Sequence, residues 1–104
     1  MRLGQIAHLR SGDKGDVSQI SVIAWDPADY PLLRREVTVE RVLRHLGRPA
    51  LEGAVRHELA GLGALNFVLP GMLDGGVTRS LALDGHGKTL SAQLLDLEIG
   101  EGGK

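Results

Sequence analysis

The run Val17-Ser18-Gln19-Ile20-Ser21-Val22-Ile23-Ala24-Trp25, followed by Tyr30-Pro31-Leu32-Leu33, decides the fold class. The first run is β-branched and largely alternating, so it reads as a strand with Ile20, Val22 and Ala24 turned inward. Asp26-Pro27 breaks it. Asp29 can cap a helix start, and Pro31 suits a first helical turn because its missing N–H has no partner there. Val39, Val42, Leu43 and Leu46 then share a helical face, Glu40 sits four residues before Arg44, and Gly47 with Pro49 ends the pattern. The spacing predicts a helix between about residues 30 and 46. Its weak spot is Val37-Thr38-Val39, where β-branched side chains lose rotamer freedom, so a kink is expected near 37 and Thr38 can cap a second helix.

Upstream, Leu3, Ile6 and Leu9 fit helical spacing, while the short length of the segment and the turn after it favour a strand. Downstream, Ala54 to Leu59 reads as a strand, Gly61-Leu62-Gly63 as a turn, and Ala64 to Leu69 as an apolar segment too short to classify by period. Val77, Arg79, Leu81 and Leu83 alternate with Thr78, Ser80, Ala82 and Asp84, a strand pattern with an inward arginine. Gly85-His86-Gly87-Lys88 reads as a hairpin loop, with Thr89 to Ile99 as the returning strand. In that return the apolar set slips from Leu90, Ala92 and Leu94 to Leu95, Leu97 and Ile99. The slip implies a β-bulge, burial on both faces, or a short helix instead. The expectation is an α+β architecture: a small antiparallel sheet with one long helix packed on one face. Residues 1–99 form one domain in this reading, and Gly100 to Lys104 a disordered tail.

A chain of 104 residues has room for one core and no second domain. Twelve Lys and Arg against 13 Asp and Glu give a net charge of −1, which removes electrostatics as a reason to bind nucleic acid or an anionic membrane. Three aromatics, Trp25, Tyr30 and Phe67, are too few for a base-stacking platform. Without cysteine there is no disulfide, Cys-ligated zinc, iron–sulfur cluster or thiol catalysis. No apolar run approaches the roughly 20 residues of a membrane span, and Met1-Arg2 leads into no signal-peptide core, so a cytoplasmic location is expected.

Two stretches carry candidate chemistry. Arg10-Ser11-Gly12-Asp13-Lys14-Gly15-Asp16 reads as a polar loop longer than a tight hairpin needs. Its backbone N–H groups, with Arg10 and Lys14, could hold an anion; the alternative is a solvated turn whose aspartates cap nearby backbone. Gly75-Gly76-Val77-Thr78-Arg79-Ser80 places Arg79 on an apolar strand face, where it needs an internal carboxylate such as Asp13 or Asp16, or the carboxylate or phosphate of a ligand. Asn66, an amide inside an apolar segment, either ties down the following loop or faces a cleft. Ala82 to Thr89 fits a relaxed phosphate-loop pattern, but its usual first glycine is Ala82 and only 15 residues follow Thr89, so it reads as a hairpin. His8, His45, His57 and His86 show no metal spacing, and no Gly-x-Ser-x-Gly surrounds any serine. Neither a metal nor a cofactor is expected.

The segments 10–16, Gly-Ala-Leu-Asn-Phe-Val-Leu-Pro at 63–70, Gly-Gly-Val-Thr-Arg-Ser at 75–80 and Asp-Gly-His-Gly-Lys at 84–88 occur in this order, with the helix start Tyr30-Pro31-Leu32-Leu33 between them. Together, over about residues 3–99, they resemble the C-terminal, ferredoxin-like domain of the acyclic terpene utilisation protein A (AtuA) family. The resemblance implies a compact α+β fold with an antiparallel sheet. It also implies a link to bacterial breakdown of branched, isoprenoid-type acyl compounds as coenzyme A thioesters. In the family a much longer N-terminal domain precedes this module, and no catalytic residue is carried over to this chain.

Three roles are expected from this reading. The first is an accessory subunit that docks on a separately encoded large AtuA-type partner. The second is a module that holds acyl-CoA phosphates or a substrate carboxylate on Arg10, Lys14 and Arg79, with Ser11, Gly12, Asp13, Gly15, Asp16, Asn66 and Thr78 around them. The third is a structural homo-oligomer. Catalysis by this chain alone is not expected, because no general base is placed beside a nucleophile.

Overall fold

A computed structural model of the chain describes residues 1–14, 17–47, 51–71 and 89–100. A 3-10 turn at Leu3–Gln5 leads into β1 (Ala7–Lys14), which pairs antiparallel with β2 (Val17–Ala24). A second 3-10 turn, Pro27–Asp29, precedes α1 (Tyr30–Glu36) and α2 (Val39–His45). Then come β3 (Val55–Leu59), a 3-10 turn at Ala60–Leu62, β4 (Ala64–Pro70) and α3 (Thr89–Leu94). The four strands form one antiparallel sheet in the order β1-β2-β4-β3. Two hairpins therefore sit side by side, joined where Ile20 pairs with Phe67 and Ser21 with Asn66.

Period-2 alternation decides which side chains build the core. Ile20, Val22 and Ala24 of β2 are buried, as are Leu65, Phe67 and Leu69 of β4. On the same side pack Tyr30, Leu33, Val37, Val42, Leu43, Leu46 and Leu94 from the helices, with Leu3, Leu97 and Ile99 from the two ends of the chain. The helices thus cover one face of the sheet.

The single long helix is corrected to two helices of seven residues each. At Val37 the backbone leaves helical angles (φ −97, ψ 80), which sends that side chain fully into the core. Thr38, extended at φ −95 and ψ 163, starts α2 by accepting a hydrogen bond on Oγ1 from the Arg41 N–H at 3.2 Å. A guanidinium closes the first helix: Arg56, on the inward side of β3, donates to the carbonyls of Arg34 (2.8 Å) and Val37 (2.7 Å). These are carbonyls that a helix end leaves without internal partners.

Residues 10–14 are strand rather than loop, paired from Arg10↔Ser21 to Lys14↔Val17. Arg10, Ser11 and Gly12 are exposed there, although their backbone is regular strand. The ambiguous first segment divides, with the 3-10 turn using Leu3 and the strand starting at Ala7. The returning strand is likewise replaced: Thr89–Leu94 is helical, the short-helix option that the slipped apolar set allowed. Beyond this helix the backbone pairs with the chain's own start, since Leu3 N–H donates to Leu97 O at 2.8 Å and Ile99 N–H to Met1 O at 2.9 Å. Gly4 lies against Leu95 so closely that an added Cβ would come within 3.1 Å of the leucine side chain. Gly100, which the sequence reading places in the tail, is held by Glu36, whose Oε1 accepts its N–H at 3.1 Å. The strand expected at 77–83, the turn at 74–76, the hairpin loop at 85–88 and residues 101–104 lie outside the described residues.

Candidate functional site: the outer face of the sheet

The alternation that buries one side of each strand turns the other side to solvent. The strand register lines up Arg10, Ser21, Asn66 and His57 across all four strands. Neighbouring strands lie about 4.8 Å apart, so the row spans about 14 Å. Within it, Ser21 Oγ donates to Asn66 Oδ1 at 3.0 Å. The asparagine carbonyl is thereby occupied, and its two amide hydrogens remain to bind something else. Arg10 and His57 are exposed at the two ends of the row.

In the adjoining row His8, Ile23, Ala64 and Leu59 stand opposite one another, three of the four apolar. Trp25, the residue after β2, stacks on His8 with ring centroids 4.3 Å apart and an interplanar angle of 28°. Trp25 remains 65% exposed, Leu59 39% and Val55 43%, and Leu62 in the adjoining turn is 73% exposed. That turn is fixed by Gly63, whose φ of +62 favours glycine and whose carbonyl accepts the Ala24 N–H at 2.9 Å.

The structure separates the residues expected to form the site. Arg10, Gly12 and Asn66 belong to the outer face, with Gly12 opposite Gln19 and nothing within 4 Å of where its Cβ would stand. Ser11 does not join them. It points to the helical side and shares a hydrogen bond with Ser91 of α3 at 3.0 Å, which ties that helix to β1. Asp13 and Lys14 contribute β1 backbone opposite Ser18 and Val17. Gly15, Asp16, Thr78 and Arg79 lie outside the described residues. Asn66 is a cross-strand partner of Ser21. Sequence alone does not single out Ser21, His57, His8 and Trp25 as a set. The signal for them is strand parity, which becomes readable only once β4 is assigned and paired with β2.

The opposite side of the molecule holds a cavity of about 490 Å³ lined by Arg41, Arg44, His45, Asp96, Leu97 and Glu98. Its most central cation is already engaged, because Arg41 donates to Glu36 Oε1 at 2.7 Å, to the Glu36 carbonyl and to the Glu98 carbonyl. Its histidine is engaged too, with His45 Nε2 2.9 Å from Gln93 O. Glu36 is the centre of this network. The Gly100 N–H, then the Arg35 side chain, then Arg41 hold its carboxyl below the usual glutamate range, against the opposing effect of burial. These contacts join α1, α2 and the end of the chain, and their role is structural.

Among the described residues no helix is long and apolar enough to cross a membrane. Over residues 1–100 the chain matches the AtuA ferredoxin-like domain, and it belongs to that family. No curated protein and no solved structure matches it.

Proposed function

We infer that the chain is a docking module of the AtuA type, which binds a larger partner protein through the outer face of its sheet. The observation that carries this reading is the exposure of Trp25, beside Ile23, Leu59 and Leu62, on the face that no described helix covers. Tryptophan is among the side chains most often found to anchor a protein interface. The partner we propose is a separately encoded large AtuA-type protein. The setting is the one the family implies, the breakdown of branched, isoprenoid-type acyl-CoA compounds in the cytoplasm, with the chemistry carried out by the partner.

The test is affinity capture of the tagged chain from its native cell extract, run beside a Trp25→Glu, Leu59→Glu variant whose thermal melt shows that it folds. A large protein should accompany the parent chain in near-stoichiometric amount and be lost from the variant. Recovery of the parent chain alone would overturn the reading.

A further inference from the structure

The outer face also has a chemistry that specifies its occupant, an inference that rests on the docking reading. The outward-facing side chains described on the four strands, and Trp25 beside them, are His8, Arg10, Val17, Gln19, Ser21, Ile23, Trp25, Val55, His57, Leu59, Ala64, Asn66, Val68 and Pro70, and none is a carboxylate. Five other arginines pair with acids: Arg2 with Asp96, Arg34 and Arg56 with Glu58, and Arg35 and Arg41 with Glu36. Arg10 has no ion-pair or hydrogen-bond partner among the described residues. It shares its row with the two free amide hydrogens of Asn66 and the imidazole of His57, so three hydrogen-bond donors face outward without an acceptor supplied by the described residues.

We propose that this face recognises an acidic, apolar-anchored segment of a partner protein, with a carboxylate over Ser21, between Arg10 and Asn66, and an apolar side chain against Trp25 and Ile23. The spacing is specific. The polar row and the apolar row are two residues apart along each strand, about 7 Å, which is the distance between side chains i and i+2 on one face of an extended segment. An extended segment with an apolar residue two positions from a glutamate or aspartate therefore reaches both rows at once. A second copy of the chain fits poorly, because a two-fold contact would set Arg10 against a surface whose described side chains offer no carboxylate. A free small molecule fits poorly as well, since such ligands occupy concave sites and this is the broad face of a four-stranded sheet.

The experiment is an NMR titration of the isotopically labelled full chain with an acetylated, amidated peptide alternating Leu-Thr-Glu-Thr-Leu-Thr-Glu, beside a counterpart with Gln at each Glu and one with Lys. The Glu peptide should shift amides of β1, β2, β4 and β3 and bind at least about tenfold more tightly than the Gln peptide. Arg10→Glu should reverse the preference, weakening the Glu peptide and strengthening the Lys peptide; with Arg10 exposed, the variant keeps its fold. Equal affinity for the Glu and Gln peptides on this face would overturn carboxylate recognition and leave the docking reading standing. Shifts confined to the helical side, or none up to millimolar peptide, would overturn the inference, and the docking reading would then rest on the capture experiment. Equal shifts from free glutarate at the same concentration would also overturn it, by assigning the row to small carboxylates.

Discussion

Ser21 Oγ donates to Asn66 Oδ1 at 3.0 Å across the β2–β4 pairing, which leaves the amide hydrogens of Asn66 without an acceptor among the described residues. This bond sits where the two hairpins meet and does two jobs there. It satisfies a half-buried polar pair, and it orients the donor at the centre of the Arg10–His57 row.

Ser21→Ala removes one half of that pair. A net cost of about 0.5–1.5 kcal/mol is expected, the usual worth of an intramolecular hydrogen bond, read as a shift in the urea midpoint with an unchanged slope. Affinity for the acidic peptide should fall as well, because the Asn66 amide is then free to rotate. Unchanged affinity would mean that Asn66 does not contact the segment.

Glu36 makes stability depend on pH. Its folded carboxyl titrates below its unfolded value, chiefly through the Gly100 N–H and then Arg35 and Arg41. The stabilisation is therefore fully present above the unfolded value and is lost as pH falls through the folded one. In Glu36→Gln the acid limb of a stability-versus-pH curve should be shallower, and the variant should be less stable than the parent at neutral pH. Parallel acid limbs would show that the carboxylate contributes nothing to folding.

Arg56→Met keeps the aliphatic stem and removes three donated bonds, to Arg34 O, Val37 O and Glu58 Oε2. The loss exposes the unpaired end of α1, and bonds from a charged group are worth about 1.5–3 kcal/mol each at most, so destabilisation in that range is expected. Calorimetry should show a lowered melting temperature. No change would mean that water replaces the guanidinium at no cost.

Tyr30 offers the opposite case. Its hydroxyl oxygen is buried without a hydrogen-bond partner among the described residues. Removing an unsatisfied buried polar atom is neutral or favourable, so Tyr30→Phe should equal or exceed the parent in stability. A loss of more than about 1 kcal/mol would show that the hydroxyl has a partner after all.

How far the sequence reveals this fold differs from element to element. Strand β2 and its inward set are readable because alternation over eight residues has no helical counterpart. The break at 37–38 is readable as a weak spot, but not that Val37 uses it to enter the core. Residues 10–14 read as loop because their polar and glycine composition is that of a turn, and only the pairing with Val17–Ser21 makes them strand. Thr89–Leu94 reads as strand because six residues are too few for periodicity to separate the two states. The outer face is hardest: Arg10 and Asn66 each attract notice alone, while His57 and Trp25 join them only through the β1-β2-β4-β3 order, which no local pattern encodes.

Trp25 is the chain's one tryptophan and lies on the proposed docking face, so its fluorescence reports directly on whether that face binds the partner. The measurement is its emission maximum and acrylamide quenching, first for the chain alone and then with the captured partner. Red-shifted, readily quenched emission is expected for the free chain, with a blue shift and protection from acrylamide in the complex. Emission and quenching unchanged by a bound partner would place the interface elsewhere and contradict docking through the sheet.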